Sequence, residues 1–574
     1  MENLFAPISA PIAAAFPQVD PGELVYEVPP DLELGDVALR TFDLAKTLRM
    51  APARIAAAIA ESVTFGPEVS AVSAAGPYVN FKLDRGRFAR EIVGAALAGG
   101  QAFGSTGEGA GKRALVEHTS INPNASPHVG RARNAMLGDS LARLLRFQGY
   151  DVEVHYYVND VGRQIGLLVL VIEERVGSLL EPGAVDMPFD DVLEAYVEAN
   201  ARAKEDPAFA EKGYELLARM EEGDREVQAK FRAVTDLCLK GQLAVLARLG
   251  ATYDVFDHES DYIKDARLDE IVAALRRKEA VFTDEDQRFV VDLSRIGHKP
   301  EEGRYFVLMR ANGSSMYGYR DLAYTAAKLE QGADLNLIVL GEYHKLYAEQ
   351  VALILAAAGK PAPEPIHYSY ILLKEGKMST RQGKVVLLSE FLDEASARAA
   401  EKVAEQCHDL PEEEREAIAA KVAVSAIRFA ILRVGANKNV IFDWDASMSF
   451  TGDTGPYVQY SCARISSILR KFGEVPRETG ETFPIETDAE WTLLMKLASF
   501  PQVAGNAARQ RTPAPIAQFA LDAARAFTTF YHECPVLDAP TEAQRVARAQ
   551  VCAAARQAIE NALGLLGIEA LERM

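Results

Sequence analysis

The sequence predicts an α/β protein in which a parallel sheet carries a long helical insertion, with a small α+β domain before it and an all-α domain after it. Three observations carry that reading: a strand–turn–helix–strand pattern over 114–158, charged helical periodicity over 162–303, and helix-like sequence almost throughout beyond Glu390. The 574 residues are 49% hydrophobic and 25% charged, the balance of an ordinary folded chain with room for about three to four domains.

The first element is helical: Ala45–Ser62 places Leu48, Ile55 and Ile59 at helical spacing. Gly76 to Leu83 then alternates as a strand, and the glycines from Gly99 to Gly111 punctuate the chain. A first boundary therefore falls at 111, giving an N-terminal domain of 1–111. Ala114-Leu115-Val116-Glu117 reads as a short strand and Asn122-Pro123-Asn124 as a turn. Ala132 to Phe147 reads as a helix whose Ala135, Met136, Leu141, Leu144 and Leu145 face the core, with Gly149 suited to its C-terminal cap. Val152 to Val158 returns as a strand, so the unit is βαβ, and ligands are expected at the carboxyl ends of its strands. An insertion of helices is expected over about 165–305. Strands resume at Leu337–Leu340 and Tyr368–Leu373 and close a sheet domain of 112–389; a helical junction of 390–445 and a helical domain of 446–574 follow.

Charge and cysteine usage exclude several classes. There are 62 basic against 82 acidic residues, a net of −20, so no uniformly basic surface coats nucleic acid, although a local groove can still be positive. Cys238, Cys407, Cys462, Cys534 and Cys552 are scattered and form no C-x-x-C pair, so neither a disulfide framework nor a zinc site is expected. No basic segment precedes an apolar one at the N-terminus, and the best apolar run, Leu167–Ile172, is too short for a bilayer. The expected class is a reduced cytoplasmic enzyme without a membrane segment.

Two short motifs carry chemistry. Pro127-His128-Val129-Gly130-Arg131 opens a helix after a strand, where free N–H groups and the dipole favour phosphate. Gly130 lets a nucleotide approach the backbone, His128 donates to a phosphate oxygen or merely caps the helix, and Arg131 adds a cation. Gly376-Lys377-Met378-Ser379-Thr380-Arg381-Gln382-Gly383-Lys384 is a basic loop after a strand, suited to a polyphosphate leaving group or to a solvated hairpin.

In this order the pair resembles the class I aminoacyl-tRNA synthetases, whose signatures are His-x-Gly-His and Lys-Met-Ser-Lys-Ser. Wider stretches resemble the arginyl-tRNA synthetases: Val116 to Asn124, Tyr157-Val158-Asn159-Asp160, Tyr317 to Tyr324, Gly452 to Tyr460, and the closing Leu565–Glu569 with Arg573-Met574. The resemblance implies a Rossmann-like catalytic domain, a tRNA-contacting N-terminal domain and a C-terminal anticodon-binding domain. It implies an arginine–tRNA ligase that uses ATP as substrate with Mg2+, holds no metal site of its own, acts on tRNA(Arg) and L-arginine, and works as a monomer. ATP chemistry is carried over to His128, Gly130, Arg131, Lys377, Met378, Ser379, Arg381 and Lys384. Arginine binding is carried over to Glu117, Ser120, Asn122, Tyr317, Asp321 and His344, with Asp321 the guanidinium partner. Tyr317 and Asp321, four apart on a helix, share one face.

For tRNA the candidates are Tyr78 and Asn80 in the first domain and Tyr457, Tyr460, Arg464 and Met574 in the last, with Arg470 and Lys471 nearby. Helical spacing also suits Tyr457 and Tyr460 to a core. Two positions depart from the signatures: Arg131 replaces the second histidine, and Thr380 stands where a lysine is usual, with Arg381 one step later. They leave open a catalytically altered paralogue that binds tRNA or adenylates a different small molecule.

Overall fold

The computed structural model describes residues 5–27, 29, 31, 33–123, 126–180, 186–297, 303–374, 376–377, 386–480 and 483–574. The chain divides into two compact units, 109–397 with 434–443, and 1–108 with 398–433 and 444–574.

The first of these units is built on a parallel sheet of β1 (Arg113–Glu117), β2 (Asp151–Val158), β3 (Val255–His258), β4 (Leu335–Gly341) and β5 (Glu364–Tyr368). The spatial order is β5-β4-β1-β2-β3, every neighbouring pair being parallel. The chain leaves β1 toward β2 on one side and later fills β4 on the other, so the switch in strand order lies between β1 and β4. Crevices open at the carboxyl ends of strands at such a point. Val129–Phe147 is the first crossover helix; it buries the whole run from Ala132 to Ala142 and ends before Gly149, whose φ of 91° turns the chain into β2. Ala114, Val116, Ala142, Leu145, Val152, Val154 and Leu337 form one core cluster of the sheet and this helix.

The stretch 165–305, expected to be helical, is all helix only as far as Ala247; beyond it strands and the helix Arg267–Arg277 alternate. Arg163–Val176, Phe189–Glu205, Pro207–Glu222 and Arg225–Ala247 pack through Leu168, Val192, Phe209 and Phe231. The chain then returns to the sheet as β3 and builds a small antiparallel sheet from 281–283, 289–292 and 305–309. β3 is four residues long and carries Asp257 and His258, so no apolar run announces it. The strand expected over Tyr368–Leu373 is broken as well. Its first residue ends β5, and Ile371–Leu373 pairs instead with Gly376–Lys377 and Val440–Phe442. The break sits where Ser369 N donates to Ala436 O and Ser369 O accepts from Arg133.

In the other unit a four-stranded antiparallel sheet (26–27, 37–40, 69–75, 78–83) and the helix Arg85–Gly99 adjoin the helices Gly455–Phe472, Asp488–Ala498, Phe500–Arg509, Ala514–Glu533 and Glu542–Leu565. Trp491, fully buried, donates Nε1–H to Asp36 O at 3.2 Å, and Asn561 donates to Gly100 O and Phe103 O at 2.9 Å each. All five cysteines are buried and free. Among the described residues no helix is long and apolar enough to cross a membrane.

Candidate active site

A cavity of about 580 Å³ opens at the carboxyl ends of β1, β2 and β4. Its lining includes Glu117, Ser120, Asn122, Arg131, Tyr317, Asp321 and His344, all seven singled out from the sequence, together with Asn134, Tyr157, Asn159, Glu259, Arg320 and Tyr347.

The segment after β1 is held in an unusual conformation. Thr119 has φ 64°, rare for a β-branched residue, and three groups hold it there. Its N–H donates to Asn134 Oδ1 at 2.6 Å, its Oγ1 accepts from Tyr253 at 2.8 Å, and the His118 ring lies 3.0 Å away. Asn134 also donates to Val339 O at 2.8 Å, so the crossover helix ties the ends of β1 and β4 together. Beyond β2, Asn159 Nδ2 donates to Ser120 Oγ at 3.0 Å and Asn122 Oδ1 at 3.2 Å. Asp160 accepts from Ser260 N at 2.8 Å and Ser260 Oγ at 2.7 Å, with His258 Nδ1 at 3.1 Å. The Tyr-Val-Asn-Asp stretch thus positions two other segments of the cavity wall, the second presenting Glu259.

Three acids line one end. Glu117 forms a buried ion pair with Lys328, whose ammonium also lies 4.6 Å from the Tyr324 ring centre. Glu259 accepts from Arg320 Nε at 2.7 Å, and Arg320 in turn donates to Ser315 O at 2.9 Å and Ser315 Oγ at 2.6 Å. Asp321 Oδ2 accepts from the Tyr347 hydroxyl at 2.6 Å, and the Tyr347 ring packs on Tyr317 at 5.1 Å. Burial raises the Asp321 carboxyl to about 6; the Tyr347 hydrogen bond lowers it, the nearby Glu117 raises it further and Lys328 opposes that. Burial likewise raises Glu259 to about 7 against the pull of Arg320. A site whose acids resist ionisation while empty gains most from a cation that enters it.

The other end belongs to the N-terminus of Val129–Phe147. His128 is its exposed N-cap, Gly130 follows, and Arg131 reaches the cavity. A Cβ at Gly130 would lie 2.9 Å from the ring of the exposed His128, which would have to swing aside. Desolvation first, then the Arg131 guanidinium, hold the His128 imidazole below its usual range; the same two causes in the same order, followed by His367, act on His344. Arg131 makes no ion pair among the described residues. Two positions on, Arg133 is 2% exposed and donates to Ser369 O at 2.6 Å, Lys438 O at 2.7 Å and Gly435 O at 3.0 Å.

The two signature segments are neighbours. Val129 N donates to Val386 O at 3.2 Å and Leu388 N to Pro127 O at 2.8 Å, so the chain just beyond the basic loop pairs with the first signature. Before the loop, the backbone of Lys377 pairs with Leu372. Met378, Ser379, Thr380, Arg381 and Lys384 lie outside the described residues.

The sequence matches three family models. They are "tRNA synthetases class I (R), catalytic domain" over 93–444, "DALR anticodon binding domain" over 458–574, and "Arginyl tRNA synthetase N terminal domain" over 3–83. The first spans well over half of the chain. The chain belongs to the arginyl-tRNA synthetase family. It is 38% identical to the arginine–tRNA ligase of Methanothermobacter thermautotrophicus over 96% of both chains. To that of Methanopyrus kandleri it is 38% identical over 96% of this chain and 94% of the other. Among solved structures it is similar to Thermus thermophilus arginyl-tRNA synthetase, with a TM-score of 0.79 and 29% identity over 99% of each chain. The arginyl-tRNA synthetase of Plasmodium falciparum shares the fold, at TM-score 0.77 and 17% identity over the whole of both chains.

The residues expected to meet tRNA divide by exposure. Asn80 is 4% exposed: it shares a strand face with half-buried Tyr78 and Lys82, pairs with Ala38 and Ser73, and is covered by the Gly35 backbone. Tyr78 is half-buried and meets the exposed Phe42 edge-on at 6.0 Å. Tyr457 is half-buried, its hydroxyl 3.0 Å from Thr528 Oγ1. Arg464 lies 4.7 Å from the Tyr460 ring centre and 5.0 Å from that of Tyr531, and donates to the Tyr460 hydroxyl at 2.9 Å. Met574 is half-buried. Sequence reasoning missed Glu259, Arg320, Lys328, Tyr347 and Tyr531. For Arg320 and Lys328 the signal was present, since both lie on the Asp321 helix at positions that turn inward with it.

Proposed function

We propose that the acidic end of this cavity binds the guanidinium of L-arginine and that Arg131 and the N-terminus of its helix receive the phosphates of ATP. The chain is an arginine–tRNA ligase, and the proposal assigns its chemistry to residues. In the first step the arginine carboxylate attacks the α-phosphorus of ATP and pyrophosphate leaves. In the second, a ribose hydroxyl at the 3′ end of tRNA(Arg) attacks the acyl carbon and AMP leaves. Both nucleophiles come from substrates, so the protein's part is positioning and charge stabilisation.

Asp321 and Glu259 take the guanidinium, Tyr317 and His344 flank it, and Ser120 and Asn122, held by Asn159, take the α-ammonium and carboxylate. Arg131 neutralises charge developing on the phosphates, with Lys377, Ser379, Arg381 and Lys384 of the second signature assisting. Mg2+ belongs to the proposal as the companion of the triphosphate. Glu117, Glu259 and Asp321 already carry partners, and no cluster of three metal-ligating side chains stands among the described residues. Tyr457, Tyr460, Arg464 and Met574 are proposed to face the anticodon, and Tyr78 the body of the tRNA.

The observation that carries the reading is the pairing of Asp321 and Glu259, both raised by burial, in one cavity with Arg131. The test is aminoacylation of total tRNA with each amino acid in turn at saturating ATP. Arginine alone is expected to be charged, and charging of another amino acid at equal efficiency would contradict the assignment.

A further inference from the structure

Tyr156 and Tyr157 are consecutive on β2 and face opposite sides of the sheet. Tyr156 is fully buried and its hydroxyl is spent inside the protein: it donates to Gln242 Oε1 at 3.1 Å and accepts from Ile121 N at 3.3 Å. Tyr157 is nearly as buried, at 4% exposed, and its ring packs against Tyr324 at 4.6 Å. Its hydroxyl makes no hydrogen bond among the described residues, although the residue lines the cavity. Folds rarely leave a buried hydroxyl unpaired, and such a group on a residue that lines a cavity is a candidate ligand contact.

The groups that act on this phenol identify the ligand. Burial first, then the charges of Glu259 and Asp321 and the nearby Tyr317, push its pKa well above the ordinary value, and Arg320 opposes them. Tyr157 therefore stays a neutral O–H at the acidic end. A guanidinium brings five N–H donors and no acceptor. Of the oxygens there, Asp321 Oδ2 is already taken by Tyr347 and Glu259 Oε1 by Arg320. A hydroxyl oxygen supplies a further acceptor without adding another charge to the pocket.

We propose that Tyr157 is a further substrate-contacting residue, whose hydroxyl oxygen accepts an N–H of the arginine guanidinium. This rests on the reading of the cavity as the arginine site.

The test is Tyr157→Phe, with Tyr156→Phe as its control, in aminoacylation at saturating ATP and tRNA and in thermal unfolding. For Tyr157→Phe the KM for L-arginine should rise about ten-fold, as expected for one hydrogen bond to a charged group, with the KM for ATP and tRNA unchanged. Its Tm should hold or rise, because phenylalanine removes an unpaired buried hydroxyl, whereas Tyr156→Phe should lower the Tm by stranding Gln242 and Ile121 N. An unchanged arginine KM would overturn the proposal, and so would a lowered Tm with an even loss for all three substrates, since that marks an internal partner. If the wild type does not charge arginine, the reading of the cavity itself fails; if it does and Tyr157→Phe matches it, only the role of Tyr157 fails.

Discussion

At the acidic end of the cavity each carboxyl arrives already held: Glu117 by Lys328, Glu259 by Arg320, Asp321 by Tyr347. At the other end Arg131 has no ion pair among the described residues, while Arg133, two positions on, is wholly engaged with backbone carbonyls. On the proposed assignment, the difference follows from what each end receives. A guanidinium is planar and must be met by acceptors in fixed places, so the acids are anchored in advance at the cost of burying charge. A triphosphate carries charge over many oxygens, and a longer, unanchored cation beside a helix N-terminus can follow it.

The largest effect should come from Asp321→Ala. Removing the proposed guanidinium partner should cut kcat/KM for arginine about a thousand-fold while ATP affinity is retained, measured in tRNA charging and by nucleotide titration. Arg131→Ala breaks the opposite end and should lower kcat by about a hundred-fold with the arginine KM unchanged, the scale of losing one charge-stabilising donor. Arg131→His should keep most of the activity.

Lys328→Met tests whether the anchoring is as costly as it looks. Stranding Glu117 should lower stability by about 3–5 kcal/mol in denaturant unfolding, and adding Glu117→Gln should restore most of it. Without that recovery, the pair is not what holds this end together.

Smaller, but more diagnostic, is the pH dependence. Guanidinium binding needs the carboxylates, so kcat/KM for arginine should fall as pH drops through about 7 to 6, the range to which Glu259 and Asp321 are raised. Stability should run the other way. Asp321 binds its proton more tightly folded than unfolded, so its contribution favours the folded state at low pH and is lost as pH rises through about 6. Asp321→Asn should flatten both trends. Tyr347→Phe removes the hydrogen bond that lowers Asp321, so its acid limb should move to higher pH with an arginine KM raised several-fold.

The βαβ unit and the facing pair Tyr317 and Asp321 were legible because each depends on local spacing that sequence preserves. Glu259, Tyr347 and the Lys328–Glu117 pair were not, for a physical reason: Lys328 meets Glu117 across 211 positions and Tyr347 meets Asp321 across 26, distances over which no periodicity operates. The burial of Asn80 was not legible for a related reason, since it depends on the strands and the Gly35 segment around it.

The most direct test of a cavity with two independently built ends is calorimetric titration of L-arginine and of ATP into the wild type, Asp321→Ala and Arg131→Ala, with tRNA present. Asp321→Ala should lose arginine binding and keep ATP, and Arg131→Ala should weaken ATP and keep arginine. If either substitution weakens both ligands equally, the two ends are one coupled site and the division drawn between them is wrong.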